Sequence, residues 1–469
     1  MARTLIETSL KLLIAWFMLC CWGVQGLVVP VVVASHSMMP TLFGPHTLLC
    51  CPECQRQFAS ELISSGQVVR CPRCDFLWQR ISPTPVVAAD RVLILRSAYF
   101  LSPPQRFDLV ALRDPVDGLL AVKRVVGLPG ERVALDNGEV TIDGNILVKP
   151  LKLRRILGVP IEWTSNIGPV RNAGPNSNIA WRNKAGGYQV DSQPLSPPLL
   201  FRNVHLQPGE AGIAAPVRDA HPFNQAVSRQ TYVVNDLTFR ATVWFEGSGS
   251  LTLTLPHGKR KFQLQLAPRR SLHARWRELG RTPWQLPTIG RENVGNTRPG
   301  SDFFSSGQEV QVELWCCDGR FGACWGGRTI LDEPLPKLPS KSIESQPEQS
   351  EPVQSNFASG EAMQDRLGAD SLLGDALVGI TAENLTVRLS QVVLSRDVYY
   401  PEPEQPSLGL RATQSVRAGK PSLPHAIELG EQEYYLLGDN PAVSLDSRHW
   451  GDQVRVDENL ITGKVVTGR

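Results

Sequence analysis

Residues 119–127 read LLAVKRVVG. Successive side chains of a β-strand point to opposite faces, so a strand here places Ala121, Lys123 and Val125 on one face. The lysine amine then lies among apolar side chains without a paired carboxylate, an environment that lowers the pKa of a lysine. Apolar and polar residues alternate in the same way across residues 86–150, which predicts a continuous β domain around this strand.

Length and composition favour a β-rich protein of several domains. The 469 residues are about three times the ~150 residues of a typical domain. Proline is frequent, at 37 residues, and Val-, Leu- and Thr-rich runs are commoner than long helical patterns, which indicates strands. The net charge of +3, from 48 basic and 45 acidic residues, gives no global reason to expect a nucleic-acid partner.

An uncharged apolar segment, residues 12–34, is long enough to cross the ~30 Å hydrocarbon layer as a helix. It predicts a single transmembrane anchor. A cleaved signal peptide is the alternative, although its apolar region is usually only about 7–15 residues long. Arg3 and Lys11 precede the segment, and no Lys or Arg follows it until Arg56. Because positive charge marks the cytoplasmic side, we expect residues 1–11 in the cytoplasm, the anchor in the inner (plasma) membrane and the rest outside it.

The remainder of the chain divides into two outer parts, two inserts and a linker. The outer parts contain most of the polar residues that are candidates for a functional site. The shorter insert contains pairs of cysteines, and the linker is rich in Pro, Ser, Gln and Glu. In chain order these segments are 35–150 with the cysteine insert at 43–82, the large insert at 151–425 with the linker at 334–360, and 426–469.

Three separated stretches hold residues that can carry hydrolytic chemistry. They are SHSMMPTL (35–42), KRVVGLPGE (123–131), and GDN (438–440) followed by SLDSRHWG (444–451). In this order after an apolar segment, they resemble the bacterial type I signal peptidases, membrane-bound serine proteases with a Ser/Lys dyad. The resemblance covers residues 10–150 and 432–469, approximately. It implies a mainly β fold, in which an N-terminal transmembrane helix precedes an antiparallel β catalytic domain.

The resemblance also assigns roles to residues. It makes Ser37 the nucleophile, Lys123 its general base and Ser444 the hydroxyl that orients the lysine amine. The Ser37 amide and the Ser35 hydroxyl become the oxyanion hole. Asp439, Asp446 and Arg448 match the family's supporting polar cluster, in which the Asp446–Arg448 pair would hold the Ser444 loop. No catalytic cofactor is implied. These roles are chemically reasonable. A serine hydroxyl needs an adjacent base to act as a nucleophile, and a lysine can be that base only when burial lowers its pKa.

The sequence departs from the family pattern at several positions. His36 stands where the family usually has glycine, so the turn must accept a β-carbon. His36 as a replacement base is the alternative to Lys123. Residues 441–443, PAV, replace a usually polar stretch before Ser444, and Phe107 stands at another position that is usually glycine.

The cysteine insert holds two C-x-x-C pairs, Cys51 with Cys54 and Cys71 with Cys74. Two such pairs close a tetrahedral metal site without a large core, so the spacing predicts a zinc ribbon holding a structural Zn²⁺. Cys50 is an alternative ligand. Disulfides are the alternative to zinc, since an extracytoplasmic compartment favours them.

The large insert is β-patterned. The runs LTLTL (251–255) and FQLQL (262–266) predict a hairpin in a sheet with one buried face. By strand patterning the insert resembles, more weakly, a concanavalin-like β-sandwich, and no sugar function follows from that likeness. The run CCDGRFGAC (316–324) leaves open either a disulfide to Cys324 or buried free thiols.

The leading hypothesis is an endopeptidase that removes signal peptides from exported preproteins at the outer membrane surface. Its partners are then preprotein signal peptides and the lipid bilayer, with no nucleic acid. One alternative is a self-cleaving Ser/Lys regulator whose zinc ribbon binds nucleic acid, which requires the ribbon to be cytoplasmic. The other is a non-catalytic, membrane-tethered binding protein.

Overall fold

The structure is a computed structural model that describes the chain at these residues: 2–62, 66–72, 76–79, 85–161, 164–165, 181–184, 187–205, 213–214, 216–225, 227, 229–266, 273–278, 307–336, 376–402 and 426–467. This part of the chain is mainly β, which confirms the predicted class. Its α-helices are α1 (Ala2–Leu27) and α2 (Leu151–Leu157). Short 3₁₀ turns lie at Arg96–Tyr99, Gly451–Gln453 and Glu458–Leu460.

The strands form three runs along the chain. The run before the large insert is β1 (Val28–Val32), β2 (His46–Cys50), β3 (Gln57–Ser60), β4 (Val68–Arg70), β5 (Leu77–Gln79), β6 (Val86–Val87), β7 (Arg91–Leu95), β8 (Leu109–Arg113), β9 (Leu120–Gly127), β10 (Arg132–Asp136), β11 (Glu139–Ile142) and β12 (Asn145–Ile146). The run of the insert is β13 (Val159–Pro160), β14 (Thr164–Ser165), β15 (Trp181–Lys184), β16 (Gly187–Val190), β17 (Leu199–Arg202), β18 (Val204–His205), β19 (Ile213–Ala214), β20 (Leu237–His257), β21 (Arg260–Leu266), β22 (His273–Glu278), β23 (Glu309–Cys317), β24 (Arg320–Trp325), β25 (Arg328–Pro334) and β26 (Val378–Arg396). The final run is β27 (Ile427–Glu428), β28 (Glu433–Leu437), β29 (Val456–Asp457) and β30 (Ile461–Thr467).

The two outer parts of the chain share one antiparallel sheet. Its seven strands lie in the order β1-β7-β30-β8-β9-β28-β29. Thus β30 pairs with both β7 and β8, and β28 pairs with β9, although the large insert separates these strands in sequence. A smaller sheet, β12-β11-β10-β27, is joined in the same way.

Strand β8 is buried on both faces. The sequence predicts that only alternate residues of this strand are buried, but Val110, Ala111 and Leu112 all are. Ala111 packs with Met38 and Val92 in one core cluster, whereas Val110 and Leu112 pack in another. A central strand covered on both sides has no solvent face, so its sequence becomes continuously apolar.

The predicted transmembrane helix over residues 12–34 is wrong at its C-terminal end. Helix α1 ends at Leu27, and residues Val28–Val32 form β1, which pairs with β7 in the central sheet. β-Branched valines favour extended backbone, and Pro30 cannot donate an intrahelical hydrogen bond. In the described residues, no helix has the combination of length and apolar character that crossing a membrane requires.

The large insert builds one twelve-stranded sheet around the long strands β20 and β26, which pair antiparallel over most of their length. The predicted hairpin is confirmed: β20 pairs with β21, with Leu253 opposite Leu264. Alternate residues of β20 from Leu237 to Phe245 are buried in the insert's core. Residues 337–360 of the predicted linker lie outside the described residues.

A buried ionic cluster joins the insert to the outer parts. Lys149 pairs with Asp397 at 2.8 Å and also with Asp318, while Arg154 of α2 lies 3.3 Å from Asp318. Burial disfavours the charged amine, but Asp397 and Asp318 outweigh burial and raise the pKa of Lys149. Removing one member of such a cluster leaves a buried charge without its partner, so the cluster stabilises the contact between the insert and the outer parts of the chain.

Candidate active site

The turn after β1 carries Ser37. The turn closes through hydrogen bonds from the Met39 N–H to the His36 carbonyl at 3.2 Å and from the Leu42 N–H to the Met38 carbonyl at 2.9 Å. Met38 is buried in the core beneath the turn, whereas Ser37 is only half-buried. The hydroxyls of Ser37 and the exposed Ser35 lie 3.2 Å apart. Within the described residues, the Ser37 N–H donates no hydrogen bond.

The loop after β28 forms the opposite wall. The Asn440 N–H donates to the Ser37 carbonyl at 2.9 Å, and the Ser444 N–H donates to the Asn440 carbonyl at 3.1 Å. A β-carbon on Gly438 would lie 2.0 Å from the Ser444 Oγ and 2.7 Å from the Ser37 carbonyl oxygen. Glycine is therefore needed here, because the Ser37 turn and the Ser444 loop both press against its Cα. The buried Ser444 hydroxyl has no hydrogen-bond partner in the described part of the chain.

Lys123 lies on β9 beside this loop. β9 pairs with β28 as far as Arg124 opposite Leu437, so Lys123 and Gly438 are the residues that adjoin this last pair. Lys123 is buried, with 4% of its surface exposed, and forms no salt bridge with any described residue. Burial lowers its pKa, although Asp446 and Asp114 act in the opposite direction. The structure therefore packs the Ser37 turn and the Ser444 loop against Gly438, next to the strand that carries the buried Lys123.

Asp446 and Arg448 hold the loop after β28 that carries Ser444. The Arg448 Nε and Nη2 donate to the two carboxylate oxygens of Asp446 at 2.9 Å each, and both side chains are buried. Asp446 also accepts the Gly438 N–H at 2.9 Å, and Arg448 donates to the Pro441 carbonyl at 3.1 Å. Burial alone would raise the pKa of Asp446, but Arg448 outweighs it and lowers that pKa.

Asp439 belongs to a different ion pair, which the sequence did not reveal. Its carboxylate accepts from the Arg124 Nε at 2.7 Å and from Nη2 at 2.6 Å, and it also accepts the Thr41 hydroxyl. Arg124 follows Lys123 on β9 and therefore points to the opposite face of the strand. Because Lys123 and Arg124 are neighbours in a predicted strand, their side chains must point to opposite faces. This alternation could have shown from the sequence that the two cations have different partners.

His36 packs as an aromatic ring. Its ring centroid lies 4.8 Å from that of Phe223, in an edge-to-face arrangement. Its Nδ1 is buried without a hydrogen bond among the described residues. Burial lowers the pKa of His36, and the neighbouring His46 lowers it further, whereas Glu61 opposes them. His36 therefore packs against the Phe223 ring as one aromatic side chain does against another.

The cysteine insert brings three predicted ligands together. Cys51 and Cys54 lie between β2 and β3, and Cys71 follows β4. The Cys54 and Cys71 sulfurs are 3.6 Å apart, and the three sulfurs all lie within 4.8 Å of one another. Cys74 lies outside the described residues. Two thiolates on a tetrahedral zinc with Zn–S bonds of ~2.3 Å are separated by about 3.7 Å, so the described sulfurs fit such an ion.

Cysteines of the large insert are buried thiols. Cys316, Cys317 and Cys324 are all free. Of the two alternatives open from the sequence, the structure therefore has thiols and no disulfide to Cys324. Burial raises the pKa of Cys316 and Cys317, which keeps both in the unreactive thiol form.

Comparisons with known proteins match the region around Lys123. Residues 74–156 match the family described as "Signal peptidase, peptidase S26". A Signal peptidase I from Leptolyngbya laminosa is 30% identical over 112 residues, which cover 21% of this chain and 53% of the relative. The chain thus spans about half the length of this curated relative. These partial matches support a peptidase, that is a hydrolase.

Comparisons of solved structures find only distant likeness. A carbohydrate binding module, CBM66 from Bacillus subtilis, is 11% identical with a TM-score of 0.24, over 50% of this chain and 94% of the module. The PL7 alginate lyase AlyA1 from Zobellia galactanivorans is 8% identical with a TM-score of 0.20, over 62% of this chain and 96% of the lyase. With TM-scores this low, neither structure supports a conclusion about the fold or the function of the large insert.

Proposed function

We propose that this chain is a serine endopeptidase that removes signal peptides from exported preproteins through a Ser37/Lys123 dyad. The observation that supports the proposal is the contact of the Ser37 turn and the Ser444 loop with Gly438, beside the strand in which Lys123 is buried without a salt bridge to any described residue. A lysine that forms no ion pair and loses its hydration is a competent base for a serine hydroxyl.

The reaction proceeds in two balanced halves. The Ser37 Oγ attacks the scissile carbonyl carbon while its proton passes to the Lys123 amine. The resulting oxyanion accepts hydrogen bonds from the Ser37 N–H and the Ser35 hydroxyl, and each such donor typically contributes about 3–4 kcal/mol. The lysine ammonium protonates the departing amine as the peptide C–N bond breaks. Water then hydrolyses the acyl-serine ester, with the same lysine as base, and releases the signal peptide.

The buried carboxylates and cations around the dyad have a supporting role. Asp446 and Arg448 fix the loop that presents Ser444. Its buried hydroxyl has no partner among the described residues and would orient the lysine amine once the two groups came within hydrogen-bond distance. Arg124 and Asp439 tie the same loop to Thr41 at the end of the nucleophile turn. Both ion pairs therefore set the separation of the two walls of the site.

The test is cleavage of a signal-peptide-bearing preprotein by the purified, detergent-solubilised chain. Ser37→Ala and Lys123→Met should abolish processing while leaving the melting temperature within a few degrees of wild type. The matched controls are Ser102→Ala and Lys152→Met, because both residues are exposed and lie away from the site. Processing by Ser37→Ala above a few per cent of wild type would contradict the assignment.

A structural zinc in the cysteine insert is part of the proposal. Cys51, Cys54, Cys71 and Cys74 would hold it, and four thiolates leave no open position for catalysis. Purified protein should contain about one zinc per chain, which Cys54→Ser removes. The control is Cys324→Ser, which changes a buried thiol of the large insert. Absence of metal, with these cysteines paired as disulfides in a peptide map, would contradict it.

Membrane contact through α1 completes the proposal, with the catalytic sheet on the outer side of the inner membrane and residues 1–11 in the cytoplasm. Large apolar side chains on this helix are well exposed, for instance Leu13 at 64% and Phe17 at 62%. Replacing both by serine should reduce co-flotation with phospholipid vesicles. Leu101→Ser, at an exposed apolar position outside α1, is the control. Unchanged flotation of the double variant would refute this contact.

A further inference from the structure

A loop of the large insert reaches the nucleophile turn. Phe223, at the tip of the segment 221–225, is 1% exposed. Its ring packs against three others, that of His36 in the Ser37 turn and those of Phe43 and His46 in the cysteine insert, with centroid separations of 4.8, 6.1 and 6.1 Å. The edge-to-face contact with His36 occupies the residue immediately before Ser37, where packing acts most directly on the serine.

An asparagine pair continues this contact. Asn224 and Asn440 exchange two side-chain amide hydrogen bonds, of 2.9 and 3.0 Å. Asn440 is itself buried, and its Nδ2 also donates to the His36 carbonyl at 3.1 Å, while its backbone N–H donates to the Ser37 carbonyl. Asn224 thus fixes which way the Asn440 amide faces, and Asn440 holds the two carbonyls that flank the nucleophile.

The loop is anchored at its base and at its tip. Arg396, at the end of β26, donates through Nη2 to the carbonyls of Asp219 and Ala220 at 2.9 Å each. At the tip, the Phe223 carbonyl accepts the Glu61 N–H at 3.2 Å, which links the loop to the cysteine insert. Because the loop is hydrogen-bonded at both its base and its tip, its position is fixed, and it can hold the His36–Ser37 turn in one place.

We propose, resting on the function proposed above, that Phe223 and Asn224 are positioning residues for the Ser37 nucleophile. The large insert is then part of the catalytic apparatus and completes the wall around the turn. Phe223 packs against the His36 ring and so supports the residue before the nucleophile. Asn224 orients the Asn440 side-chain amide, and Asn440 in turn holds the backbone carbonyls of the turn. A misplaced nucleophile lowers the rate of chemistry more than it weakens substrate binding.

The test compares Asn224→Ala with Asn203→Ala. Asn203 lies in the same insert and donates to the Pro216 carbonyl, which also belongs to the insert. For Asn224→Ala we expect kcat on preprotein to fall at least about tenfold, with KM within twofold of wild type. Asn203→Ala should behave as wild type. Asn224→Asp retains the side-chain volume but loses the amide donor, so it should reproduce the fall in kcat.

A structural readout separates this proposal from the proposed function. Hydrogen exchange by mass spectrometry should show faster exchange of the 36–43 segment in Asn224→Ala and Phe223→Leu, with other segments of the sheet unchanged. If wild-type protein cuts no preprotein, the proposed function fails, and the exchange data still decide whether the loop holds the turn. Unchanged exchange in 36–43, or a kcat of Asn224→Ala and Asn224→Asp within twofold of wild type, would overturn the inference.

Discussion

Gly438→Ala should inactivate the protein without unfolding it. The added β-carbon would lie 2.0 Å from the Ser444 Oγ and 2.7 Å from the Ser37 carbonyl oxygen, whereas real contacts of this kind stay above 3.0 Å. The Ser444 side chain can rotate away, but the Ser37 carbonyl belongs to the backbone, so the nucleophile turn itself must move. Displacements approaching 1 Å at a reacting group cost about a hundredfold in rate.

The assay is kcat/KM for preprotein cleavage, measured beside the melting temperature. We expect a loss of about a hundredfold in kcat/KM, and a loss of stability within the ~1–3 kcal/mol typical of overpacking. The control is Gly430→Ala, because the nearest atoms to its added β-carbon, at 3.2 Å, belong to the flexible end of the Glu433 side chain. If Gly438→Ala kept more than half of the wild-type activity, the Ser37 turn and the Ser444 loop could not both pack against this glycine in the active protein.

Two further predictions address the base and the loop. Lys123→Arg should be nearly inactive in the preprotein assay, because a guanidinium stays charged at any working pH and cannot accept the serine proton; activity near wild type would locate the base elsewhere. Arg448→Ala should destabilise the protein by about 3–5 kcal/mol in denaturant unfolding, since it leaves the buried Asp446 unpaired. Arg182→Ala, which breaks an ion pair between side chains 74% and 57% exposed, should change stability by less than about 1 kcal/mol, and equal effects of the two variants would refute the loop assignment.

Local sequence patterns correctly predicted strands and hairpins, because these elements depend mainly on residues that are close together in the sequence. The alternation in LLAVKRVVG correctly indicated a strand with a buried lysine, and the LTLTL and FQLQL runs correctly indicated a hairpin. Motif order alone pointed to Ser37, Lys123 and Ser444, and the structure brings their segments together at Gly438, a residue within the third motif.

Long-range pairing explains what the sequence did not reveal. The valine run after Leu27 is apolar enough to extend a membrane helix, but it pairs with β7, a partner some 60 residues away that no local pattern identifies. Arg124 and Asp439 are 315 residues apart, and Asn224 and Asn440 are 216 apart. A single sequence contains no signal that links such positions, so these contacts become visible only in three dimensions.

The pH dependence of kcat/KM tests the central claim most directly, namely that the buried Lys123 amine is the base for Ser37. Because the amine must be neutral to accept a proton, activity should rise with pH through the pKa of Lys123. Burial lowers that pKa, so the midpoint should lie below the ordinary lysine value of ~10.4 and should be unchanged in His36→Ala. A midpoint near the ordinary histidine value of ~6.5 that disappears in His36→Ala would contradict the account and transfer the role of base to His36.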